Sequence, residues 1–328
     1  MRRAFLVVAL LSAAVLLGAT DSASASASPE KRSRVVNFLA HCGVSRFAPD
    51  DPIVYPGEPG RSHHHTFFGS RAISAHATLR SLRAAETTCG RKSETAAYWV
   101  PTLFRDGVRV TPLKATAYYT LRRFSGVRPY PPGLKMIAGD AAAQRPQPLG
   151  VVWWNCGPFS GVRRSSSVPP RCPPGSGGTG ATLIGRAGRA RNPRPSLELH
   201  VRFPECWDGR RLDSSDHRAH MAYASSLNDP PARPVVSDGA RAEPALLMVG
   251  AAESAPQARG GRCPDSHPVR VPSLILIVAY PIRDGRGVVL SSGGQFSGHA
   301  DFFNAWDQED LARIVSDCSQ GRPRCARK

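Results

Sequence analysis

Alternating apolar and polar residues predict that this chain folds mainly into β-strands. The clearest alternation runs from Leu197 to Phe203, where every second residue is apolar. Because side chains alternate between the two faces of a strand, the apolar residues should face the core, and Glu198, His200 and Arg202 should face the surface. Further strand patterns occupy residues 96–104, 114–123, 149–155 and 269–280.

Helical patterns are few and short, at residues 73–85 and 307–315. Residues 158–195 and 228–262 are rich in Gly, Pro and Arg and are predicted to be irregular loops. Pro101 within the strand pattern at 96–104 favours an edge strand or a bulge. We therefore expect one mainly β, sandwich-like domain over residues 35–328, with long irregular loops and a few short helices.

The first 27 residues have the pattern of a secretory signal peptide. Arg2 and Arg3 precede an apolar run from Phe5 to Leu17, which is too short to span a bilayer comfortably. Small residues suited to cleavage follow, and residues 28–34 would form a flexible lead-in; an uncleaved membrane anchor is the alternative. No later stretch is apolar enough to cross a membrane, so we expect a secreted or cell-wall-associated protein without a transmembrane segment in its mature chain.

The chain contains eight cysteines, all of which follow the predicted signal peptide. An even number in an exported chain predicts disulfide bonds, although eight cysteines allow 105 pairings. Cys156 with Cys172 and Cys318 with Cys325 are the pairs expected, because each would close a short loop containing Pro or Gly. A structural zinc site is disfavoured because the usual C-x-x-C spacing is absent.

The protein is strongly basic, with a formal charge of +18 and a sequence pI of about 10.4. The excess is mostly arginine, spread along the chain rather than concentrated in one element. This distribution, with no nucleic-acid motif, argues against a specific nucleic-acid partner. Two explanations stay open: a general arginine bias, or attraction to anionic wall polymers or membrane surfaces.

Three polar segments are predicted to meet and form one histidine-rich site. They are Arg61–Ser70, Cys206–His220 and Ser297–Asp307. In an extended backbone, alternate side chains share a face, which groups His63 with His65. On a helical turn, residues spaced by three project to one side, as His217 and His220 would.

Neutral imidazole is a common ligand for zinc and copper, so a divalent transition metal is the candidate cofactor. The candidate ligands are His63, His65, His217, His220 and His299. Asp301 would share a face with His299 if the backbone is extended, completing a set of histidines and a carboxylate.

A site without metal is the alternative. Asp216 and Asp301 could act as general acid and base in glycoside cleavage, with His217 or His299 as further acid/base groups. Aromatic residues near the same segments could stack on sugar rings, although burial in the core is their commoner fate. The candidates for stacking are Trp207, Trp306 and Tyr223. In a third interpretation, the histidines only form a hydrogen-bonded loop network.

Several of these motifs together resemble the family of domains of unknown function numbered 1996, found in exported actinobacterial and fungal proteins. The resemblance rests on segments whose order and spacing fit the family and which cover most of the predicted mature chain. They are Asp51–Gly57, Ser62–His65, Phe203–Ser214 with Asp216, His217 and His220, Cys263–Pro264 with His267–Pro268, and His299–Asp307. Residues 163–194 look peculiar to this chain. The resemblance carries no activity; fungal members look wall-associated, which implies a polysaccharide context.

We therefore expect an exported, disulfide-bonded protein with one His/Asp-rich site that acts on or binds cell-wall or extracellular polysaccharide. Its enzyme class would be glycoside hydrolase-like or metal-dependent. The alternative is a non-catalytic protein that binds metal or contributes to wall structure.

Overall fold

Two five-stranded antiparallel sheets carry most of the strands. The computed structural model describes residues 36–121, 126–157, 164–168, 171–172, 197–224 and 261–320. The first sheet contains, in spatial order, β1 (Val36–Cys42), β7 (Lys114–Leu121), β14 (Ser273–Tyr280), β10 (Leu197–Arg202) and β9 (Val152–Asn155). The second contains β2 (Val44–Ala48), β3 (His65–Gly69), β4 (Ala97–Pro101), β16 (His299–Phe303) and β8 (Lys135–Gly139).

Two small sheets and two helices complete the described elements. One small sheet has the order β12 (Met221–Ala222), β11 (Cys206–Trp207) and β13 (Val269–Arg270). The other has the order β15 (Val288–Leu290), β5 (Leu103–Arg105) and β6 (Val108–Arg109). The helices are α1 (Leu79–Ala84) and α2 (Gln308–Ser319). All described residues belong to one compact unit, Arg34–Lys328. The mainly β fold class is confirmed.

The main hydrophobic core lies between the facing sides of the two five-stranded sheets. Phe302 of β16 shows the packing: its ring centroid lies 5.3 Å from that of Tyr98 and 6.3 Å from that of Phe203. Removing a ring buried in this way typically costs about 3–5 kcal/mol, since the lost transfer energy is joined by a cavity. The core therefore holds the register of the strands that carry the histidines.

A second, smaller cluster covers the outer side of the second sheet. Phe67, Trp99 and Phe303 project there and pack against Ile53 from the preceding loop and Leu82 from α1. Because alternate residues of a strand share a face, residues two positions from these aromatic side chains also project to this outer side.

The structure corrects the prediction that the second face of β10 lies at the surface. Glu198, His200 and Arg202 are all buried. His200 hydrogen-bonds to Glu198 at 3.0 Å and stacks on Trp153, while Arg202 forms a 2.9 Å ion pair with Glu205. β10 is an interior strand that packs on both faces, so alternation could not signal exposure here.

Two further predictions about elements are corrected. The helix expected over 73–85 forms only at α1, where Thr78 caps its N-terminus in a capping box with Ser81. Pro101 lies on an interior strand rather than an edge; it ends β4, just before the chain passes into β5. A proline is tolerated there because the strand ends at that position.

Disulfides fasten the loops to the sheets. Cys156–Cys172 forms as predicted, and Cys42–Cys89 and Cys206–Cys263 are also bonded. Cys318 is disulfide-bonded, but Cys325, its predicted partner, lies outside the described residues, as do the predicted signal peptide and lead-in. Within the described part of the chain, no helix is long and apolar enough to cross a membrane.

Candidate metal centre

Strand register brings His65 and His299 to the same end of the second sheet. β4 lies between β3 and β16. His65 pairs with Pro101, and the pairing of Trp99 with Asp301 places Pro101 opposite His299 as well. Both imidazoles project to the outer side of the sheet, and the compact proline ring between them leaves room for them to approach each other.

The loop from Pro49 to His64 supplies the third histidine. Asp51 starts this loop by accepting hydrogen bonds at Oδ1 from the N–H groups of Ile53 and Val54, at 2.9 and 3.0 Å. The loop closes where Ser62 N–H donates to the Pro49 carbonyl at 3.1 Å. The loop therefore places His63 on the outer side of the second sheet, beside His65.

The alternation predicted within the His63–His65 run is found. His64 turns away, with its Nδ1 2.8 Å from the Thr102 hydroxyl. The rings of His63 and His65 lie on the same side, with centroids 4.3 Å apart.

Three imidazole Nε2 atoms converge. His299 Nε2 lies 3.1 Å from His63 Nε2 and 3.4 Å from His65 Nε2. The Nδ1 atoms of His65 and His299 lie 2.8 and 2.9 Å from the carbonyls of Asp50 and Ser297. A carbonyl can only accept, so both Nδ1 atoms carry the proton and both Nε2 atoms present lone pairs.

These separations suit a bound cation. Neighbouring nitrogens of a tetrahedral ion with metal–nitrogen bonds of about 2.05 Å lie about 3.3 Å apart. The observed 3.1 and 3.4 Å bracket that value. The backbone carbonyls on the opposite ring nitrogens are the second-shell partners that metal-binding histidines usually have.

Two buried carboxylates adjoin the histidines. Ligand atoms of Asp51, His65 and Asp301 all lie within 4.8 Å of one another. Asp301 Oδ2 is 3.9 Å from His299 Nε2 and has no hydrogen-bond partner within the described residues. A buried, unpartnered carboxylate oxygen is costly unless a cation or proton accompanies it, so Asp301 is the best placed carboxylate ligand.

Burial sets the ionisation of these groups. It lowers the pKa of His63 to about 4 and that of His299 to about 3, and it takes the pKa of His65 well below its usual value. Burial also raises the pKa of Asp51 and, with the help of the nearby Asp51 charge, takes that of Asp301 well above its usual value. The histidines are therefore neutral near pH 7, the form that binds metals.

With this geometry established, comparison with known proteins defines the family. Residues 51–306 match the family described as "Domain of unknown function (DUF1996)". The chain belongs to the DUF1996 family. The match includes His63, His65, His299 and both carboxylates, so the whole His/Asp cluster lies inside the family domain. No curated protein and no solved structure matches the chain.

The segment Cys206–His220 of this DUF1996 protein forms a hydrogen-bonded loop rather than a set of ligands. His220 is buried, with Nδ1 2.8 Å from Ser214 Oγ and Nε2 2.7 Å from the Lys135 carbonyl, so both nitrogens are engaged. His217 Nδ1 bonds to Asp213 at 2.8 Å. The structure thus brings three of the five candidate histidines together and leaves His217 and His220 out of that group.

Asp216 also acts locally. Its Oδ1 accepts hydrogen bonds from the Ser214 hydroxyl and from the N–H groups of Arg218 and Ala219, at 2.6, 3.1 and 2.9 Å. These bonds, the Ser214 hydroxyl first, hold the Asp216 pKa below its usual value. The carboxylate that accompanies Asp301 in the cluster is therefore Asp51 and not Asp216.

Two residues of the same loop still border the cluster. The positive charge of His217, when protonated, acts on Asp51 and favours its ionised form. Arg218 donates from Nη2 to the carbonyl of Gly139, the residue paired with His299, at 2.8 Å. Its charge favours ionised Asp301 and neutral His299. The Cys206–His220 segment thus contributes charge rather than ligands.

The three candidate stacking residues have different surroundings. Trp306 is fully buried, and its indole N–H donates to Tyr119 at 3.0 Å, so no ring face is open to a sugar. Trp207 is partly exposed, and its N–H donates to the Arg211 carbonyl at 2.6 Å. Tyr223 lines a cavity beside the cluster. Of the three, Tyr223 is the one that lines this cavity.

Sequence reasoning missed Asp51 and Arg218 as site residues. Asp51 opens the Asp51–Gly57 motif, and its proximity to His63 in sequence was the available signal. Arg218 lies between two histidines that draw attention as ligands. In an arginine-rich chain, nothing in its local sequence separates it from the other arginines.

Proposed function

We propose that this DUF1996 protein is an exported metalloprotein that binds one divalent transition metal, zinc or copper, and acts on extracellular polysaccharide. The convergence of the Nε2 atoms of His63, His65 and His299 carries the proposal. The last two histidines already have their Nδ1 protons committed to backbone carbonyls, so their lone pairs are available without rearrangement.

In this proposal the three histidines and Asp301 are the ligands, and Asp51 is the neighbouring acid/base group. A metal held by three or four protein ligands can retain a water, whose pKa it lowers toward 7. Asp51 lies within 4.8 Å of the ligand atoms of His65 and Asp301, close enough to exchange a proton with such a water.

Extracellular polysaccharide is the proposed partner for three reasons. The N-terminal pattern predicts export, the disulfides suit an oxidising compartment, and the family resemblance implies a wall context. The strongly basic chain would also be attracted to anionic polymers.

The first test is the metal content of the mature protein, purified without a histidine tag. We expect about one zinc or copper per chain after reconstitution with each metal. His63→Ala should lose it, whereas the exposed His76→Ala should retain it as a matched control. His63 is half-buried and sits on a loop, so its removal should leave the fold intact. Absence of metal from the folded wild type would refute the proposal.

A second candidate function is metal-free glycoside hydrolysis by Asp51 and Asp301. Their closeness and raised pKa values favour it, because retaining glycosidases place two carboxyl groups about 5 Å apart and keep one protonated. Hydrolysis of a glycan that persists in excess EDTA and is lost in Asp51→Asn would support this function over the metal-dependent one.

A further inference from the structure

Arg218 is an exposed residue beside the His/Asp cluster and forms no close ion pair with any described residue. Its guanidinium donates one hydrogen bond, to the Gly139 carbonyl at 2.8 Å. Within the described parts of the chain, no carboxylate lies within 4.0 Å of its nitrogens. A guanidinium has five N–H donors, so most of its capacity is free to bind an anion.

Arg218 also lines a cavity of about 210 Å³ next to the cluster. Ile137 and Gly139 form one wall, and they pair across the sheet with Asp301 and His299. The cavity is therefore one strand away from the proposed metal ligands. It is smaller than the pockets of about 300–1,000 Å³ that hold drug-sized ligands, and it suits one sugar residue.

The lining of the cavity combines an apolar surface with a single positive charge. Val151, Pro204 and Met221 contribute apolar atoms, and Tyr223 contributes its ring, since its hydroxyl already donates to the Arg202 carbonyl at 2.8 Å. Sugar rings have apolar faces that pack on such surfaces, while an acidic substituent would meet Arg218.

The loop around Arg218 is organised before any ligand binds. Asp216 accepts the backbone N–H of Arg218, and Arg211 donates to the neighbouring Ala219 carbonyl at 2.8 Å. His267 Nε2 lies 3.1 Å from the same carbonyl. These bonds fix the backbone at Arg218 and Ala219, which reduces the entropy lost when the loop binds a partner.

We propose that Arg218 and this cavity form an anion subsite, which holds the carboxylate or phosphate of an anionic polysaccharide beside the metal centre. The identity of the polymer as a polysaccharide rests on the function proposed above. Carboxylate and phosphate present similar pairs of oxygens to a guanidinium. Arg218 could therefore bind either group in the same geometry.

Calorimetric titration of the mature protein can test this subsite. The probes are an oligogalacturonate, its fully methyl-esterified form as the neutral match, and an oligosaccharide of the same length that carries phosphate groups. We expect the anionic probes to bind at least tenfold more tightly than the ester. The tighter of the two anionic probes identifies the carboxylate or the phosphate as the natural group.

Variants then show whether the preference for anionic probes depends on Arg218. Arg218→Gln should weaken binding of the preferred anionic probe by roughly ten- to a hundredfold, the range for hydrogen bonds to charged groups. Arg218→Lys should be intermediate, because lysine keeps the charge but lacks the planar fork. The exposed Arg80→Gln on α1 removes the same charge elsewhere and should bind like the wild type.

Equal affinity of the wild type for the acid and ester forms would overturn the subsite, as would unchanged binding by folded Arg218→Gln. The acid–ester comparison needs no variant, so it holds even where Arg218→Gln fails to fold. Each titration is run on zinc-loaded and EDTA-treated protein. Metal binding without an anion preference would refute the subsite alone, and an Arg218-dependent preference in a protein that binds no metal would refute the metal proposal alone.

Discussion

The Nε2 atoms of His63 and His299 lie 3.1 Å apart, although the residues are separated by 236 positions in sequence. The Nδ1 of His299 donates to the Ser297 carbonyl, so its Nε2 is unprotonated and carries a lone pair. His65 Nε2 is unprotonated for the same reason and lies 3.4 Å from His299 Nε2. A proton on His63 Nε2 could satisfy only the contact with His299, whereas a single cation could bind all three Nε2 atoms.

Metal binding should stabilise the fold, because the ligands come from a loop and from two strands. A free metal concentration of 100 times Kd would add about 2.7 kcal/mol to the free energy of unfolding. In a chain of this size we expect the melting temperature to rise by a few degrees. Differential scanning fluorimetry with zinc or EDTA measures this shift, which His63→Ala should abolish and His76→Ala should preserve. An equal shift in all three proteins would count against the site.

Gly139→Ala should destabilise the protein and disturb the metal centre. Gly139 has a φ of +80°, and an added Cβ would lie 2.5 Å from the Gly298 carbonyl oxygen, next to His299. Gly57 has a similar φ of +81° with no atom within 4 Å of an added Cβ. Gly57→Ala should therefore cost only the conformational strain of about 1–2 kcal/mol.

Urea unfolding should show a larger loss for Gly139→Ala than for Gly57→Ala, by roughly 1–3 kcal/mol for the overpacking. Metal affinity should fall only in Gly139→Ala. Equal unfolding midpoints for the two variants would mean that the sheet adjusts at Gly139 without strain.

His220→Ala should lower stability without removing metal. The substitution leaves the Lys135 carbonyl without the imidazole N–H, which typically costs about 1–3 kcal/mol, and it opens a cavity. His267→Ala removes a partly exposed imidazole that contacts the same loop at the Ala219 carbonyl, and it should cost under about 1 kcal/mol. Chemical denaturation and metal analysis of both variants check this. Loss of metal from folded His220→Ala would show instead that His220 is a metal ligand.

Glu94 should lower the free energy of unfolding as the pH rises from about 4.5 to 8. Burial raises the pKa of Glu94 from 4.5 to about 8, its Oε1 accepts from the Tyr98 hydroxyl, and its Oε2 has no partner among the described residues. The unfolded chain releases this proton near pH 4.5 and the folded protein only near pH 8. The stability contributed by Glu94 is therefore fully present below about pH 4.5 and is lost between pH 4.5 and 8, by up to about 5 kcal/mol.

The wild type and Glu94→Gln are compared by urea unfolding at pH 5 and pH 8. All other titratable groups are common to both proteins, so the difference between the two unfolding free energies isolates Glu94. We expect Glu94→Gln to gain stability relative to the wild type as the pH rises. A difference that does not change with pH would show that Glu94 is ionised in the folded protein at neutral pH.

Local sequence patterns correctly indicated the parts of the site that depend on neighbouring residues. His63 and His65 share a side because extended backbone alternates, and His299 and Asp301 share a face of β16 for the same reason. The Cys156–Cys172 bond closes a short loop whose ends are close in any compact fold. Such features follow from backbone geometry over a few residues.

Pairing across the sheet decided the remaining features of the site. His217 and His220 have ligand-like spacing, yet the loop turns His220 toward Ser214 and the Lys135 carbonyl, while Asp51 reaches the cluster from a loop. The alternation in β10 likewise could not reveal that Glu198 and His200 are buried.

The sequence by itself determined that the protein is mainly β and which neighbouring side chains point the same way, because backbone geometry repeats every two residues in a strand. It also carried the motifs of the DUF1996 family. Only the tertiary structure decided that His63, His65 and His299 meet with Asp51 and Asp301, and that Arg218 borders them. Strand order and register arise from long-range packing of the core, and no local pattern encodes which distant strands become neighbours.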